Sequence, residues 1–464
     1  MSGDELCFLG AAELGRRMAR REVSPVEVAA AMLARIERLD PALNGFLLVT
    51  EERALAEARE AEREIAAGGA RGPLHGVPLA LKDIFDTAGL RTTAGSRILA
   101  DHVPARDATV VARLRAAGLV LLGKTNMYEF AYGVTNDNPH YGPSRNPWDR
   151  ERSTGGSSGG SGAALAAGLC HVSLGTDTGG SIRIPAGACG VVGLKPTFGR
   201  VSRRGVWPLS WSLDTVGPMA RSVEDAALLL NAIAGPDPED EWCAARPAED
   251  FTRDLERGLR GLAMGVPREW FFDGLDPDVE AAVRAAIGVL EREGACRVAA
   301  SLPHVPEAHT AAHAMLAAEA SAFHEPWLRE RPEDYGADVR RALELGHLVS
   351  GVDYVNARRM QSVVRAEFLA ALREADVLVA PTLPCAPLRV GEAASREPAV
   401  AWNRLVTPLN LAGLPAISVP CGLDRAGLPV GLQIVGRPFD EATVLRAARA
   451  FERATDWHAR RPAL

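Results

Sequence analysis

Apolar positions recur along the chain with two different spacings, and segments of the two kinds alternate. Segments with the three-to-four-residue spacing of amphipathic helices are 11–66, 107–117, 222–235, 277–293, 305–320, 336–374 and 440–454. Short apolar runs typical of strands are 76–87, 119–127, 169–177, 262–267, 377–382, 414–420 and 428–436. This alternation predicts an α/β fold with a central, twisted, largely parallel or mixed β-sheet and helices on both faces.

A glycine- and serine-rich segment, STGGSSGGSGAALAAG at 153–168, interrupts the pattern. It lacks the GK[ST] ending of a phosphate-binding loop, and the polar RNPWDRERST before it is not the strand that a dinucleotide-binding fingerprint needs. A flexible linker is the alternative. Apolar segments resume directly on both sides, so we expect the segment to belong to the folded core.

Composition narrows the class of protein. The chain has 464 residues, 47% of them hydrophobic, which allows about three domains or one large α/β domain. The net charge is −7 and there is no basic block, so we expect no nucleic-acid partner. Seven scattered cysteines without a CxxC pair indicate a reducing compartment. No signal peptide or membrane-length apolar run is present, so a cytoplasmic protein without membrane contact is expected.

Two serines that follow glycine pairs are candidate nucleophiles. Ser157 fits G-x-S-x-G, but no strand leads into it. Ser181 follows the strand-like run 169–177, and Gly179 and Gly180 allow backbone N–H groups to converge, as an oxyanion hole requires. The alternative is that the glycines only form tight turns. No histidine lies within nine residues of Ser181, so another base would be needed.

A buried lysine is the leading candidate for that base. Only three of the 52 basic residues are lysines: Lys82, Lys124 and Lys195. Arginine keeps its proton in proteins, whereas a buried lysine can lose it, so a position that needs a neutral amine must remain lysine. Lys82, which ends a strand-like run, is the leading candidate, and the other two could equally be structural. His309 and His313 lie four residues apart, but the HExxH glutamate is missing, so no metal site is expected.

Four ordered segments together resemble the amidase signature family. They are GVPLALKDIFDTAGLRTTAGS, GGSSGGSGAALAAG, GTDTGGSIRIPAGACGVVGLKPTFGRVS and LNLAGLPAISVPCG with LPVGLQIVGRPFDE. The resemblance covers about residues 5–235 and 400–455, and it implies a single domain over 1–464 with the amidase signature fold. Residues 236–400 match weakly and would be the variable region that adapts to the substrate.

Position by position, the resemblance implies a Ser-cisSer-Lys triad. Lys82 would be the base, Ser157 the bridging serine preceded by a cis peptide bond, and Ser181 the acyl-enzyme nucleophile. The oxyanion hole would be formed by the backbone amides of Thr178, Gly179, Gly180 and Ser181. The supporting polar residues would be Ser158, Asp177 and Arg183. The family needs neither metal nor cofactor, so none is expected.

The substrate pocket is expected from neighbouring aromatic and apolar residues. The candidates are Met127, Tyr128, Phe130, Tyr132, Trp207 and Trp211, with core packing as their alternative role. Such a lining suits aryl or hydrophobic amides, and esters and carbamates (urethanes) share the same acyl chemistry. We therefore expect an amidase acting on a small-molecule amide as a monomer or homodimer.

Three other functions are compatible with these motifs. The first is the A subunit of the glutamyl-tRNA(Gln) amidotransferase, which releases ammonia from glutamine for a partner. The segment AVAWNRLVTPLN, however, lacks the acidic residue expected there to hold the glutamine amino group. The second is hydrolysis of biuret or another urea derivative. The third is a binding protein with an inactive amidase fold, which the intact Lys82, Ser157 and Ser181 argue against.

Overall fold

The computed structural model describes residues 3–392 and 401–464. Its helices are α1 (Gly3–Phe8), α2 (Ala11–Ala19), α3 (Pro25–Leu43), α4 (Glu51–Ala66), α5 (Thr109–Ala116), α6 (Gly159–Ala166), α7 (Arg183–Cys189), α8 (Val223–Ile233), α9 (Pro277–Arg292), α10 (Val305–Glu330), α11 (Ala337–Gly346), α12 (Gly351–Glu374), α13 (Thr407–Ala412) and α14 (Glu441–Arg453). Its strands are β1 (Phe46–Val49), β2 (Pro78–Lys82), β3 (Val120–Thr125), β4 (Asp137–Asn138), β5 (Gly142–Pro143), β6 (Arg145–Asn146), β7 (Asp149–Ser153), β8 (Val172–Asp177), β9 (Val192–Lys195), β10 (Thr215–Ala220), β11 (Ala263–Pro267), β12 (Cys296–Ala300), β13 (Val377–Pro381), β14 (Ala416–Leu423) and β15 (Pro429–Gly436).

Eleven of these strands form one mixed sheet, in the order β1-β3-β2-β8-β10-β9-β14-β15-β13-β11-β12. Strand β2 pairs in parallel with β3 and β8, and β11 pairs in parallel with β12 and β13, while the other neighbours are antiparallel. The predicted α/β fold with a mixed sheet is thus confirmed.

Both faces of the sheet are covered. In β2, Leu79 and Leu81 belong to one hydrophobic cluster, and Ala80 between them belongs to another. Successive side chains of a strand point to opposite faces, so the two clusters lie on opposite sides of the sheet. A strand buried on both faces reads as a continuous apolar run, which is why the sequence predicted this strand.

The helical prediction for 11–66 missed a strand. Asn44 adopts a left-handed backbone conformation with φ 51° and ends α3, and the chain then forms β1 before α4 begins. Strand β1 has only four residues and pairs with β3 alone, at the edge of the sheet. Four residues between two helices are too few to display strand periodicity.

The weakly matched middle of the chain contributes to the same sheet. Strands β11, β12 and β13 form the end of the sheet beyond β15. The predicted boundary at residue 400 lies outside the described residues, and the division into a conserved core and a variable region stays a prediction. No helix in the described ranges 3–392 and 401–464 is long and apolar enough to cross a bilayer.

The glycine- and serine-rich segment is part of the core. Residues 153–168 are all buried, and their second half forms α6. A Cβ added to Gly160 would lie 2.4 Å from the carbonyl oxygen of Gly45 and 2.5 Å from that of Asn126. The glycines therefore allow α6 to approach neighbouring backbone closely, which a flexible linker would not do.

Candidate active site

Two adjacent parallel strands end at the candidate site. Strand β2 ends at Lys82 and β8 ends at Asp177, and their register pairs Leu81 with Leu174. The carboxyl ends of parallel neighbours meet at one edge of a sheet, where ligand sites of open α/β sheets commonly form. The turn 178–182 that follows β8 therefore lies beside Lys82.

Lys82 is completely buried between two hydroxyl groups. Its Nζ lies 2.7 Å from Ser157 Oγ and 2.8 Å from Thr176 Oγ1. Burial lowers the pKa of Lys82 to about 7, although the charges of Asp214 and Asp177 act in the opposite direction. A substantial fraction of Lys82 is therefore neutral near pH 7 and can accept a proton.

The two candidate serines lie on segments that are joined by backbone hydrogen bonds. The peptide bond between Gly156 and Ser157 is cis. The N–H of Ser158 donates to the carbonyl oxygen of Ser181 at 3.3 Å, and Ser158 Oγ donates to that of Thr176 at 3.3 Å. Within the described residues, Ser181 Oγ makes no hydrogen bond to Ser157 Oγ. Catalytic hydrogen bonds often tighten only when substrate binds.

The turn before Ser181 presents backbone N–H groups. Gly180 has φ +118°, and a Cβ there would lie 2.3 Å from Val406 Cγ2, so only glycine fits. The Gly180 N–H donates to Asp177 Oδ1 at 2.9 Å and is occupied. The amides of Thr178, Gly179 and Ser181 have no acceptor among the described residues. Three of the four predicted oxyanion donors thus have no hydrogen-bond acceptor within the described part of the chain.

Asp177 and Arg183 hold this turn in place. The Asp177 carboxylate accepts from the backbone N–H of Ile182 and from Arg183 Nε, both at 3.1 Å. Burial alone would raise the pKa of Asp177, but the charge and hydrogen bonds of Arg183 outweigh it and hold this pKa below its usual range. Arg183 also donates to Gln433 Oε1 at 2.8 Å and to Asn410 Oδ1 at 2.6 Å. These bonds tie the turn to α13 and β15.

The other two lysines are buried in different surroundings. Lys124 Nζ lies 3.0 Å from Asp83 Oδ1 and donates to Thr92 Oγ1 at 2.8 Å. Lys195 Nζ donates to the carbonyl oxygen of Pro196 at 2.9 Å. Neither lysine contacts Ser157 or Ser181 in the described structure. Only Lys82 is placed beside a candidate serine.

A cavity of about 460 Å³ opens beside Thr176 and Thr178, next to this turn. Two of the six pocket candidates, Trp207 and Trp211, line it. Its charged lining residues are Arg203, Arg204, Asp214, Glu239, Asp240 and Glu241. The cavity is accordingly more polar than the aromatic pocket that the sequence suggested.

The four candidates at 127–132 do not line this cavity. Met127 and Phe130 are buried, and Phe130 packs against His324, with ring centroids 4.4 Å apart. The Tyr128 hydroxyl donates to Asp338, and burial raises the pKa of Tyr128. Tyr132 is half-buried and packs against the hydrophobic cluster that contains Phe130. Their role in substrate binding stays a prediction.

Sequence reasoning missed Thr176 and Asp214. Thr176 lies in an apolar strand, where a threonine is ordinary, and nothing in its spacing indicates contact with Lys82. Asp214 accepts from Thr178 Oγ1 at 2.6 Å and from the N–H of Leu209 at 2.9 Å. The one sequence signal for Asp214 as a site residue was its position directly before the mostly apolar segment that forms β10.

The two histidines on α10 lie beside Asn403, in the segment that precedes α13. His309 Nε2 lies 2.9 Å from Asn403 Oδ1, and the rings of His309 and His313 lie 4.2 Å apart. A Cβ added to Gly179 would lie 3.9 Å from Asn403 Nδ2, so this cluster borders the turn 178–182, called the oxyanion turn below after its predicted role. Among the described residues there is no group of three potential metal ligands, and all seven cysteines are free.

Comparison with known proteins identifies relatives over the whole chain. The family model described as Amidase matches residues 27–445. The chain is 49% identical to the A subunit of the glutamyl-tRNA(Gln) amidotransferase of Anaeromyxobacter sp. (strain K), over 97% of this chain and 96% of that one. Among solved structures, it resembles the A subunit of the same amidotransferase from Thermotoga maritima, with a TM-score of 0.80 and 35% identity over 98% and 94% of the two chains. It also resembles a chain of a vestigial protein complex linked to the origins of an s-triazine catabolic enzyme, with a TM-score of 0.92 and 40% identity over 96% and 98%.

These relatives overturn one expectation. The aromatic pocket favoured a small-molecule substrate, and the charge balance favoured the absence of a nucleic-acid partner. The expected assembly was a monomer or homodimer. The curated relatives are instead subunits of an enzyme named for a tRNA. Net charge describes the whole surface and is insensitive to a local binding face, so the absence of a basic block was not evidence against such a partner.

Proposed function

The chain belongs to the amidase family of C–N bond-acting enzymes, and from that membership we propose that it is the amidase subunit of a tRNA-dependent amidotransferase. In this role it releases ammonia from the side-chain amide of glutamine. The observation that carries the proposal is the 49% identity to the A subunit of such an enzyme over 97% of the chain. An alignment of that length covers the strands, the turn and the helices that surround the candidate site.

The proposed reaction starts with a proton transfer. Neutral Lys82 takes the proton of Ser157, and Ser157 takes the proton of Ser181. The short distance between Lys82 Nζ and Ser157 Oγ, 2.7 Å, supports the first transfer. The freed Ser181 oxygen attacks the amide carbon, and the carbonyl oxygen becomes negatively charged. The open amides of Thr178, Gly179 and Ser181 then stabilise that charge.

Collapse of this intermediate breaks the C–N bond. The proton held by Lys82 returns through Ser157 to the leaving nitrogen, which departs as ammonia. The acyl group remains as an ester on Ser181. Water then loses a proton to the same base, attacks the ester and releases the free acid, which restores both serines and neutral Lys82.

The experiment that tests this function measures ammonia release from L-glutamine, with Ser181→Ala as the matched inactive control. The same assay is repeated with the remaining subunits of the Anaeromyxobacter amidotransferase and glutamyl-tRNA(Gln). We expect release that is lost in Ser181→Ala and amide transfer to the tRNA when the subunits are combined. Absence of glutamine turnover under both conditions contradicts the proposal.

A second candidate is favoured by one observation. The described segment 401–412 contains no carboxylate. Its polar side chains nearest to Gly179 are those of Thr407 and Asn403. The expected acid for the glutamine amino group is therefore missing from this segment. A urea-type amide, such as biuret, has no ammonium group to pair. Turnover of biuret in preference to glutamine in the same assay would select this candidate.

A further inference from the structure

An exposed apolar face covers the end of α11 and the first turns of α12. Leu348, Val352 and Val355 are 76%, 70% and 56% exposed. Leu345 and Val363 extend the face on either side, each about two-fifths exposed. Val352, Val355 and Val363 lie on one stripe of α12, because residues three, eight or eleven apart share a helix face. Contiguous apolar surface of this kind marks an interaction site, whereas single exposed residues do not.

The rim of this α11–α12 face is positively charged. Arg341, Arg358 and Arg359 are exposed, and within the described residues none of them forms an ion pair. The nearby carboxylates are already engaged: Glu344 pairs with Arg340, and Asp353 caps α12. The chain as a whole carries a net charge of −7, so this rim differs from the average surface. A segment that matches both the apolar face and its positively charged rim has an apolar side and acidic flanks.

On the inner side of the same helical turn, hydrogen bonds connect α12 with the loop that lines the cavity at the candidate active site. Tyr354 lies between the two exposed valines, and its hydroxyl donates to Glu319 Oε1 at 2.8 Å. Glu319 is buried on α10 and also accepts from Ser210 Oγ and Ser212 Oγ, both at 2.6 Å. These two serines lie in the loop 207–214, whose residues Trp207, Trp211 and Asp214 line the cavity.

The loop reaches the oxyanion turn through Asp214. The Ser210 N–H donates to Asp214 Oδ1 at 3.1 Å, and Thr178 Oγ1 donates to the same oxygen at 2.6 Å. Hydrogen bonds therefore connect Tyr354, Glu319, Ser210 and Asp214 in a continuous path from the α11–α12 face to Thr178. Tyr354 is half-buried and the other three are buried. Other exposed apolar residues, such as Val103, do not lie on this path.

We propose that the α11–α12 face binds an acidic amphipathic helix of a partner subunit, and that this contact acts on the oxyanion turn through Tyr354 and Glu319. The partner assignment rests on the proposed function, since a subunit of a complex requires a docking surface. A helix fits because the apolar stripe runs along α12 and helices pack along such stripes. A second copy of the chain fits poorly, because it would bring the arginines of both copies together.

Two labelled helical peptides test the docking. They share one leucine face, and one carries glutamates and the other lysines on its flanks. The apolar variant is Leu348→Gln/Val352→Thr/Val355→Thr, and Val103→Thr is the matched control because Val103 is as exposed as Val355, at 56%. We expect the glutamate peptide to bind the parent and control chains equally, and the apolar variant on the order of tenfold more weakly. Arg358→Gln/Arg359→Gln should weaken it similarly.

Several outcomes overturn the docking proposal. Equal binding of the two peptides contradicts a role of the arginine rim in binding. Binding that is unchanged in the apolar variant contradicts the assignment of the α11–α12 face as the docking site. A dimer in solution that the apolar variant dissociates assigns the face to a second copy. Binding of a tRNA transcript that the arginine variant abolishes, without peptide binding, assigns it to nucleic acid. None of these readouts needs amidase activity, so they stand apart from a failure of the proposed function.

Tyr354→Phe tests the connection to the active site. This variant keeps the ring and removes the hydroxyl that contacts Glu319, so it should bind the glutamate peptide with unchanged Kd. We expect the peptide to change kcat of the parent chain at least about twofold and to leave kcat of Tyr354→Phe unchanged. A peptide that binds without altering the parent's kcat, or alters both chains equally, contradicts the connection.

Discussion

At the scale of single residues, burial decides the chemistry of Lys82. The side chain is fully buried, and the cost of burying a charge lowers its pKa to about 7. The scarcity of lysine, three among 52 basic residues, made Lys82, Lys124 and Lys195 candidates for a base, with Lys82 as the leading one. Burial could not be read from the sequence directly, but the choice of lysine over arginine reflects it.

The pH dependence of activity follows from that pKa. The proposed base is the neutral form of Lys82, so kcat/KM should rise as the pH increases from 6 to 8, with a midpoint near 7, and then level off. Lys82→Arg should be inactive at every pH, because the guanidinium keeps its proton. A kcat/KM profile of the parent chain that stays flat from pH 6 to 10 would contradict the assignment of Lys82 as base.

The two serines should differ in their effect on turnover. Ser181→Ala removes the proposed attacking oxygen, so ammonia release should fall to background and no acyl-enzyme should form. Ser157→Ala removes the proposed proton carrier, whose place water can take, so it should retain measurable turnover, reduced on the order of 10²- to 10⁴-fold. Mass spectrometry of the quenched enzyme checks the acyl adduct. An adduct on Ser181→Ala would show that another residue is the nucleophile.

The Asp177–Arg183 pair should contribute to stability as well as to activity. Asp177→Asn leaves the buried Arg183 without its counter-charge, which should lower the free energy of unfolding by about 3–5 kcal/mol. The control is Glu344→Gln, which breaks the exposed pair with Arg340 and should cost about 0–1 kcal/mol. Urea unfolding measures both. Equal losses for the two variants would show that the buried pair has no special role.

At the scale of elements, the sequence predicted the segments with clear apolar periodicity or continuous apolar runs and missed several strands. One of them is β10, whose six residues TVGPMA include a threonine, a glycine and a proline that interrupt the apolar run. The strands β2, β3 and β8 and the helices α8, α9 and α14 were predicted within a few residues. Strands β9 and β12 were missed, the first because it has four residues and the second because most of its positions are exposed and polar or small. The predicted helix 336–374 is two helices, and Ser350 caps the second. Local turn chemistry, rather than periodicity, sets that break.

Close backbone packing of α6 gives a testable difference between two helical glycines. Gly160→Ala places a methyl group 2.4 Å from a carbonyl oxygen, and overpacking of this kind should cost about 1–3 kcal/mol or more. Gly288→Ala in α9 meets only the flexible end of Arg292, at 3.5 Å, and should stabilise the chain by up to about 1 kcal/mol. Thermal unfolding of both variants measures the difference. A stabilising Gly160→Ala would show that α6 can shift away from its neighbours.

At the scale of the whole molecule, the sequence predicted the catalytic candidates better than the partners. Lys82 and Ser157 are brought together because β2 and the segment before α6 converge at one sheet edge, and ordered motifs encode that convergence. The cavity is built by residues from the loop 207–214 and from 238–242, which no motif connects. Partner surfaces depend on which side chains share a face in three dimensions, and this information is spread over the chain.

The burial of Lys82, Lys124 and Lys195 has a consequence for the surface of the molecule. All three side chains have no exposed area, and the chain has no other lysine, so the folded molecule offers reagents no lysine side-chain amine. Acetylating agents and amine-reactive dyes can modify these lysines only while the structure around them is open. The rate of lysine acylation in native buffer thus reports how often the core around the candidate base opens to solvent.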